Sequence, residues 1–356
     1  PCPVSAMDGY AVRAADIAAV PARLRVVGVS AAGHGFAGPV GPGEAARIFT
    51  GARVPDGADT ILIQEDARAD GDWVEARASE PLGRYVRRAG LDFAAGDALL
   101  EAGRLMGPAE LALAAAMNHA SLAVVRRPRV AVLATGDELV PPGAEPGPDQ
   151  IVASNNFAVG AYARRAGADV VDLGIAGDDF PALEAAIRRA RDLKADVLVT
   201  LGGASVGDHD LVQTALTREG MELGFWRIAM RPGKPFMHGR IGDMRILGLP
   251  GNPVSAIVCA ALFLVPLVRA LSGDRAAGAD ATRPATLGAD LPANDQRQDY
   301  LRATLSNVTE GLPVATAFTR QDSSMLGVLA AAHALIVRPP HAPPAKAGEP
   351  CRILPL

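Results

Sequence analysis

The stretch VLVTLGGASVGDHD, Val197 to Asp210, decides how the chain is read. It opens with neighbouring, not alternating, apolar residues, the pattern of a strand covered on both faces. It leaves that strand through two glycines and ends on Asp208 and Asp210, with His209 between them. Two readings of this ending stand. One is a tight turn capping a helix. The other is a pocket in which backbone N–H groups meet an anion and carboxylates meet a metal.

The same strand signature recurs on either side. After Pro128 comes RVAVLAT (129–135), again apolar throughout, then ADVVDLGIA and, later, MRILGLP. Helical stretches lie between them. NFAVGAYARRAG ends at Gly167, and PALEAAIRRARDLK sets Leu183, Ala186, Ile187, Ala190 and Leu193 on one stripe. Strands alternating with helices predict a parallel, doubly wound sheet over roughly residues 127–272. A helix after Pro253 closes it, and its apolar part, VSAIVCAALFLVPLV, reads as buried because it is too short to span a bilayer.

Outside this unit the patterning changes. Residues from about 20 to 100 hold short strand-like runs, RLRVVGV, DTILIQE and DWVEARA, with turn signals between them. A helix is predicted over Pro108–Asn118, with proline in its first turn. From about residue 283, QDYLRATLS, LPVATAF, HALIVRP and CRILPL predict a small β-barrel-like domain. The expected fold class is therefore multidomain α/β plus β: a central doubly wound parallel-sheet domain, a β-rich N-terminal region and a C-terminal barrel.

Composition narrows the function. At 356 residues and 49% apolar content, the chain has room for several cores. A net charge of −4 gives no general attraction to nucleic acid or membrane, so any anion site must be local. Aromatic content of 4% is sparse for base-stacking platforms. Cys2, Cys259 and Cys351 are far apart and form no CxxC pair, against a zinc knuckle or disulfide framework. With no signal peptide in the sequence, a reducing cytoplasm is the expected compartment. The chain opens on Pro1, not Met, which points to natural residues upstream.

Ligands of an open parallel sheet bind outside the carboxyl ends of its strands. Four such ends carry polar clusters here: TGDEL (135–139), GIAGDDFP with Asp178 and Asp179, the opening stretch, and GLPGNPVSA (248–256). Singly, each has a plain structural reading. Asp137 caps a turn, Asp179 caps the helix opened by Pro181, and Asp208 and Asp210 favour a helix start. Together they crowd carboxylates at one sheet edge, where repulsion is costly without a cation, and oxygen ligands shared with phosphate suit Mg²⁺.

The glycines fit neither the G-x-G-x-x-G nor the GK[ST] loop, which sets aside dinucleotide and ordinary NTPase readings. A glycine turn between strand and helix still exposes N–H groups suited to phosphate. RPGKPF presents Arg231 and Lys234 on a stiff Pro-Gly turn, either as oxyanion ligands or as a solvated surface cluster. GASVG lacks nucleophile-elbow spacing, no Ser-His-Asp set is readable, and His209 alone supports no histidine metal site.

In chain order, SAMDGYAVR (5–13), FTGARVPDGADTILIQE, LATGDEL, SNN (154–156), LGGASVGDHD, RPGKPF and GLPGNPVSA resemble the molybdopterin molybdenumtransferase family over nearly the whole chain. The resemblance implies an L-shaped, four-domain homodimer. Its parts are an arm (1–19 with 101–126, shortened at the start), a β-rich domain (20–100), an α/β molybdopterin-binding domain (127–272) and a barrel-like domain (283–356). It implies insertion of molybdenum from molybdate into adenylylated molybdopterin, with release of AMP and help from Mg²⁺. The cleft would be shared between subunits, and substrate would come from a molybdopterin adenylyltransferase.

Position by position, the resemblance implies catalytic roles for Asp8, Thr50, Asp92, Glu138, Asp178, Asp210 and Lys234, with Glu138 and Asp210 on the metal. It implies substrate contacts for Thr135, Gly136, Asp137, Gly202, Gly203, Ser205, Gly207, Arg231, Pro250, Gly251, Asn252 and Pro253. Arg302 and Ser323 fall near positions associated with molybdate. Arg231 stands where the family often has Lys. Two other functions stay open: an adenylyltransferase, which needs only the α/β domain, and a scaffold like the related domain of gephyrin. Tungstate and molybdate, nearly alike in size and charge, are not told apart by residue type.

Overall fold

The apolar runs of the central segment become buried parallel strands. In the computed structural model, which describes residues 2–203, 211–306 and 311–356, Arg129–Thr135, Val197–Leu201 and Met244–Leu249 lie side by side, with Asp169–Ala176 outside the first. Successive side chains of a strand point to opposite faces. Val130, Val132, Val197, Val199, Leu247 and Leu249 pack in one layer with helix Asn155–Arg165 and the helical run after Pro253. Ala131, Leu133, Leu198 and Ile246 pack in the other with Phe180–Asp192 and Leu211–Arg218. Both faces are covered, which is why apolar residues are not confined to alternate positions. Each Val or Leu buried this way contributes roughly 1.5–3 kcal/mol.

The sheet is not wholly parallel, as the sequence reading expected. Met237–Ile241 pairs antiparallel with Met244–Leu249, and Glu222–Trp226 pairs antiparallel with Met237–Ile241 to form an edge. Glycine within both strands hid them from a propensity reading. The signal that marks them is the two-residue Gly242-Asp243 loop, with Gly242 at φ +57.

The closing helical run reaches Leu271, 19 residues with a mean hydropathy of 2.3, so by length and composition it matches a membrane span. Its place in the fold is the core: Val254, Ala256 to Ala260, Leu264 and Val268 all belong to the central cluster. A π-helical turn at Ala260–Leu264 precedes Pro266. It widens the helix where the proline ring would otherwise meet the carbonyl four residues back.

The last domain is a closed ring of five strands. Gln298–Ser306, Val314–Ala317, Arg283–Leu287, Pro350–Pro355 and Ala334–Arg338 pair in that order, and the last pairs back onto the first. Five strands leave a narrow interior, and Ala285, Ala303, Ala315 and Ala334 fill it. Leu329, Leu335 and Leu354 join the core of the central sheet, so the two domains form one unit, residues Ala102–Gly107 with Ala120–Leu356.

The other unit, Pro1–Glu101 with Pro108–His119, is built on a six-stranded sheet ordered Thr60–Ile63, Gly9–Val12, Glu44–Ile48, Ala22–Ser30, Trp73–Ala76, Ala67–Asp70. The expected arm, 1–19 with 101–126, is divided between the two units. Gly9–Val12 is paired on both sides within the β-rich sheet. Residues 102–107 and those from 120 onward belong to the other unit. The predicted helix is present as Pro108–Ala116.

Candidate functional site

Four parallel strands, Arg129–Thr135, Asp169–Ala176, Val197–Leu201 and Met244–Leu249, end at one cleft of about 800 Å³. Its wall takes Thr135, Gly136 and Glu138 from the first strand end, Asp178 from the second, Gly202 and Gly203 from the third, and Pro250 to Pro253 from the last. Sequence reasoning found these. It quoted Ser154 to Asn156 and Pro235 only within motifs, without a role, and did not single out Ile151 to Ala153 or Ser324, which also line the cleft. The SNN triplet before an amphipathic helix was the available signal.

Backbone geometry shapes the floor. Gly202 and Gly203 sit at φ +100 and +65, and a Cβ on Gly203 would fall 2.1 Å from Val212 Cγ2. Only glycine lets this turn close against the following helix. A Cβ on Gly136 would fall 2.2 Å from Glu138 Oε2, so that carboxylate lies folded over the strand end. Asn252 precedes Pro253, which takes the first helical position. Asn155 Nδ2 donates to the Gly251 carbonyl (2.7 Å) and ties the two cleft walls together. Ser154 provides no side-chain cap, so the first-turn N–H groups of helix Asn155–Arg165 have no hydroxyl partner there.

Several acids and cations at or near the strand ends have hydrogen-bond partners within the protein. Asp137 Oδ1 accepts from the Asp178 N–H (3.0 Å), so it pins the turn that presents Asp178 and does not itself line the cleft. Asp179 caps its helix by accepting from the Ala182 N–H. Arg231, expected to hold an anion, is taken by carboxylates. Met230–Arg231 pairs with Gln298–Asp299 of the barrel, which brings the guanidinium onto Asp299 (Nε–Oδ1 2.9 Å) and within 3.3 Å of Asp295. The Asp299 bond raises its pKa further.

Arg302 is 2% exposed and donates inward, to the Asp322 carbonyl (2.8 Å), Gln321 Oε1 (3.2 Å) and the Met325 carbonyl (3.4 Å). Burial lowers its pKa, with no carboxylate among these bonds. It therefore holds the loop that delivers Ser324 to the cleft. Ser323 Oγ accepts from Asn252 Nδ2 (3.0 Å), and the Ser323 carbonyl accepts from the Val254 N–H. Lys234 is exposed on the turn whose next residue, Pro235, lines the cleft.

Asp8 and Thr50 meet in the N-terminal unit. Asp8 Oδ1 accepts from the Thr50 N–H (2.7 Å) and hydroxyl (2.8 Å), and these bonds hold the carboxyl below its ordinary value. Asp92 is exposed in the same unit. Ser205, Gly207 and Asp210 lie outside the described residues. Among the described residues, no three His, Cys, Asp or Glu side chains gather as a metal site.

Comparison with known proteins gives three family models in sequence along the chain. They are the MoeA N-terminal region (domain I and II) over residues 1–118, the probable molybdopterin binding domain over 131–270, and the MoeA C-terminal region (domain IV) over 284–356. The chain is 40% identical to a molybdopterin molybdenumtransferase of Nostoc over 276 residues, 76% of this chain and 63% of that one. It thus spans a little under two thirds of that relative's length. It is 39% identical to molybdopterin molybdenumtransferase 2 of Mycobacterium tuberculosis over 85% of this chain and 76% of that protein. A crystal structure of a molybdopterin biosynthesis MoeA protein from Pyrococcus horikoshii superposes with a TM-score of 0.83 at 31% identity, covering 100% of this chain and 88% of that one.

Proposed function

The chain belongs to the molybdopterin molybdenumtransferase family, and from that premise we propose that it inserts molybdenum from molybdate into adenylylated molybdopterin and releases AMP. The observation that supports this most is the composition of this cleft. Carboxylates Glu138 and Asp178 share it with two glycine turns and with the polar side chains of Ser154, Asn155, Asn252 and Ser324. An acidic chain that handles two anionic substrates needs both kinds of group together.

The residues divide the work by their chemistry. Glycine-turn and first-turn N–H groups at Gly203 and Asn155 bind phosphate oxygens without adding side-chain bulk, while the Gly202 N–H is held by the Leu249 carbonyl. Lys234, on the turn that ends at Pro235 in the wall, offers a point charge to molybdate. Arg302 and Asn252 orient the Ser323–Ser324 loop toward that anion. Glu138 and Asp178 suit Mg²⁺, which takes one or two carboxylates beside substrate phosphate and not a full protein cage. Glu138, with Asp210 as the sequence resemblance implies, would hold it. When bound, the ion supplies neutralisation of charge at the phosphate anhydride. A water oxygen adds to phosphorus as the anhydride P–O bond breaks, which frees AMP and leaves the phosphate of molybdopterin; molybdenum then passes to the two dithiolene sulfurs, and their thiol protons leave with one molybdate oxo group as water.

The proposal includes a cytoplasmic homodimer with a cleft shared between subunits, to which Asp8, Thr50 and Asp92 contribute, supplied by an adenylyltransferase. The test is incubation of the chain with adenylylated molybdopterin, Mg²⁺ and molybdate, reading AMP and active cofactor together. Both should rise with time. Consumption of ATP with free molybdopterin, and no cofactor from the adenylylated form, would assign the adenylyltransferase activity instead.

A further inference from the structure

Arg231 and Lys234 carry the same charge three residues apart, yet the fold uses them differently. Each guanidinium nitrogen of Arg231 has an acceptor within the protein. Nε and Nη2 grip the two oxygens of Asp299, the first at 2.9 Å; Nη1 reaches Asp295 Oδ2 (3.3 Å) and Nη2 also reaches Asn294 Oδ1 (3.4 Å). Asp299 is 4% exposed and lies in the barrel strand Gln298–Ser306. Two carboxylates around one guanidinium leave no net positive charge there for an oxyanion. Lys234 is exposed, and among the described residues it enters no ion pair. The charge this turn offers is therefore the Lys234 ammonium.

The backbone ties the two residues together. Met230–Arg231 pairs with Gln298–Asp299, and the Gln298 N–H donates to the Ala229 carbonyl (2.9 Å), so the barrel strand holds the start of the turn. The Lys234 carbonyl accepts from the Ile228 N–H (3.1 Å) and the Phe236 N–H (3.0 Å), which closes it. Gly233, between them, has φ +112, and a Cβ there would fall 2.6 Å from Cys259 Sγ. The turn thus rests on the buried helix whose first residue, Pro253, lines the cleft, and its next residue after Lys234, Pro235, lines the cleft too.

We propose that Arg231 and Asp299 are positioning residues: their two-pronged ion pair clamps the turn to the barrel so that Lys234 is presented to the oxyanion at the cleft, and Arg231 itself binds no anion. This rests on the function proposed above, in which that oxyanion is molybdate. Arginine suits the duty because a planar guanidinium holds both carboxylate oxygens at once and fixes orientation as well as distance. A turn held in this way loses little freedom when the anion binds, and that saving appears as affinity.

Equilibrium dialysis of the full chain against molybdate, with molybdenum counted by mass spectrometry, tests this without turnover. Ligand and clamp predict opposite signs for Asp299→Asn. Removing a negative charge beside Arg231 tightens binding if Arg231 is a ligand, whereas releasing the turn weakens it. Asp299→Asn should weaken molybdate binding about tenfold. Arg231→Lys keeps the charge but loses the fork and should also weaken it. Arg231→Met with Asp299→Leu replaces the pair by apolar side chains of comparable size and should return affinity to within about threefold. In a Lys234→Ala background none of these changes should shift binding by more than about twofold, because the pair acts through Lys234; a merely structural role would lower affinity there as well. Thermal unfolding shows which variants fold, and if those at residue 299 do not, Arg231→Lys decides, since unchanged affinity there refutes the clamp. Unchanged or tighter binding by Asp299→Asn, or a paired replacement as weak as Asp299→Asn, overturns the inference alone. No molybdenum retained by the unaltered chain, alone or with adenylylated molybdopterin, overturns it together with the function it rests on.

Discussion

Gly203→Ala puts the turn at the head of the cleft to a quantitative test. At φ +65 a residue with a Cβ costs about 1–2 kcal/mol in backbone strain. The new Cβ would also stand 2.1 Å from Val212 Cγ2. Val212 is 2% exposed and packed in the core beside Leu133 and Leu198, so it cannot swing into solvent. Forcing extra volume into such a core costs about 1–3 kcal/mol. The expected total is about 2–5 kcal/mol. Gly220→Ala isolates the first part, because Gly220 also has positive φ (+91) but has nothing within 4 Å of its Cβ position.

The assay is urea unfolding followed by the fluorescence of Trp226 in a Trp73→Phe background, since the two tryptophans lie in different units. Gly203→Ala should lose about 1–3 kcal/mol more than Gly220→Ala. Adding Val212→Ala to Gly203→Ala should show favourable coupling, because the smaller side chain makes room. Equal losses for the two glycine variants, within about 0.5 kcal/mol, would refute the claim that this turn is closed by contact with Val212.

Glu138→Gln should lower AMP release at least about tenfold and raise the Mg²⁺ concentration needed for half-maximal rate, while the unfolding temperature stays within about 2 °C; an unchanged magnesium dependence would remove Glu138 from the metal. Hydrogen bonds from the Arg126 guanidinium, joined by the Arg129 N–H, hold the Asp196 carboxyl below its ordinary 3.8. The unfolded chain then binds the extra proton first, so this carboxylate's contribution is complete above about pH 5 and is lost as pH falls through 3.8 and the lower folded value. Asp196→Asn should make the acid limb of a stability–pH curve shallower, and identical curves would contradict the assignment. Burial pushes the Cys259 thiol up to about 12. A maleimide at pH 8 should therefore label Cys2 and Cys351, both partly exposed, and reach Cys259 only in urea; native labelling of Cys259, read by peptide mass, would show that the helix after Pro253 opens.

Local pattern was enough to read the four parallel strands of the central sheet, the helices Asn155–Arg165 and Phe180–Asp192 and the strand-end clusters, because each depends on residues close in sequence. RVAVLAT and VLVTL read as doubly covered strands, and they are. Asp179 with Pro181 reads as a helix start, and Asp179 caps that helix. What required tertiary structure was every role set by a distant partner. Arg231 looks free beside Lys234 until the barrel places Asp299, 68 residues away, against it. Asp137 is a cleft acid by position but meets the Asp178 N–H across 41 residues. Arg302 is a cation by type but lies buried beneath its loop. Periodicity and turn chemistry are short-range properties of the chain. Which charges end up paired depends on loop closures over many residues, and those are settled only when the cores of the sheet and the barrel pack.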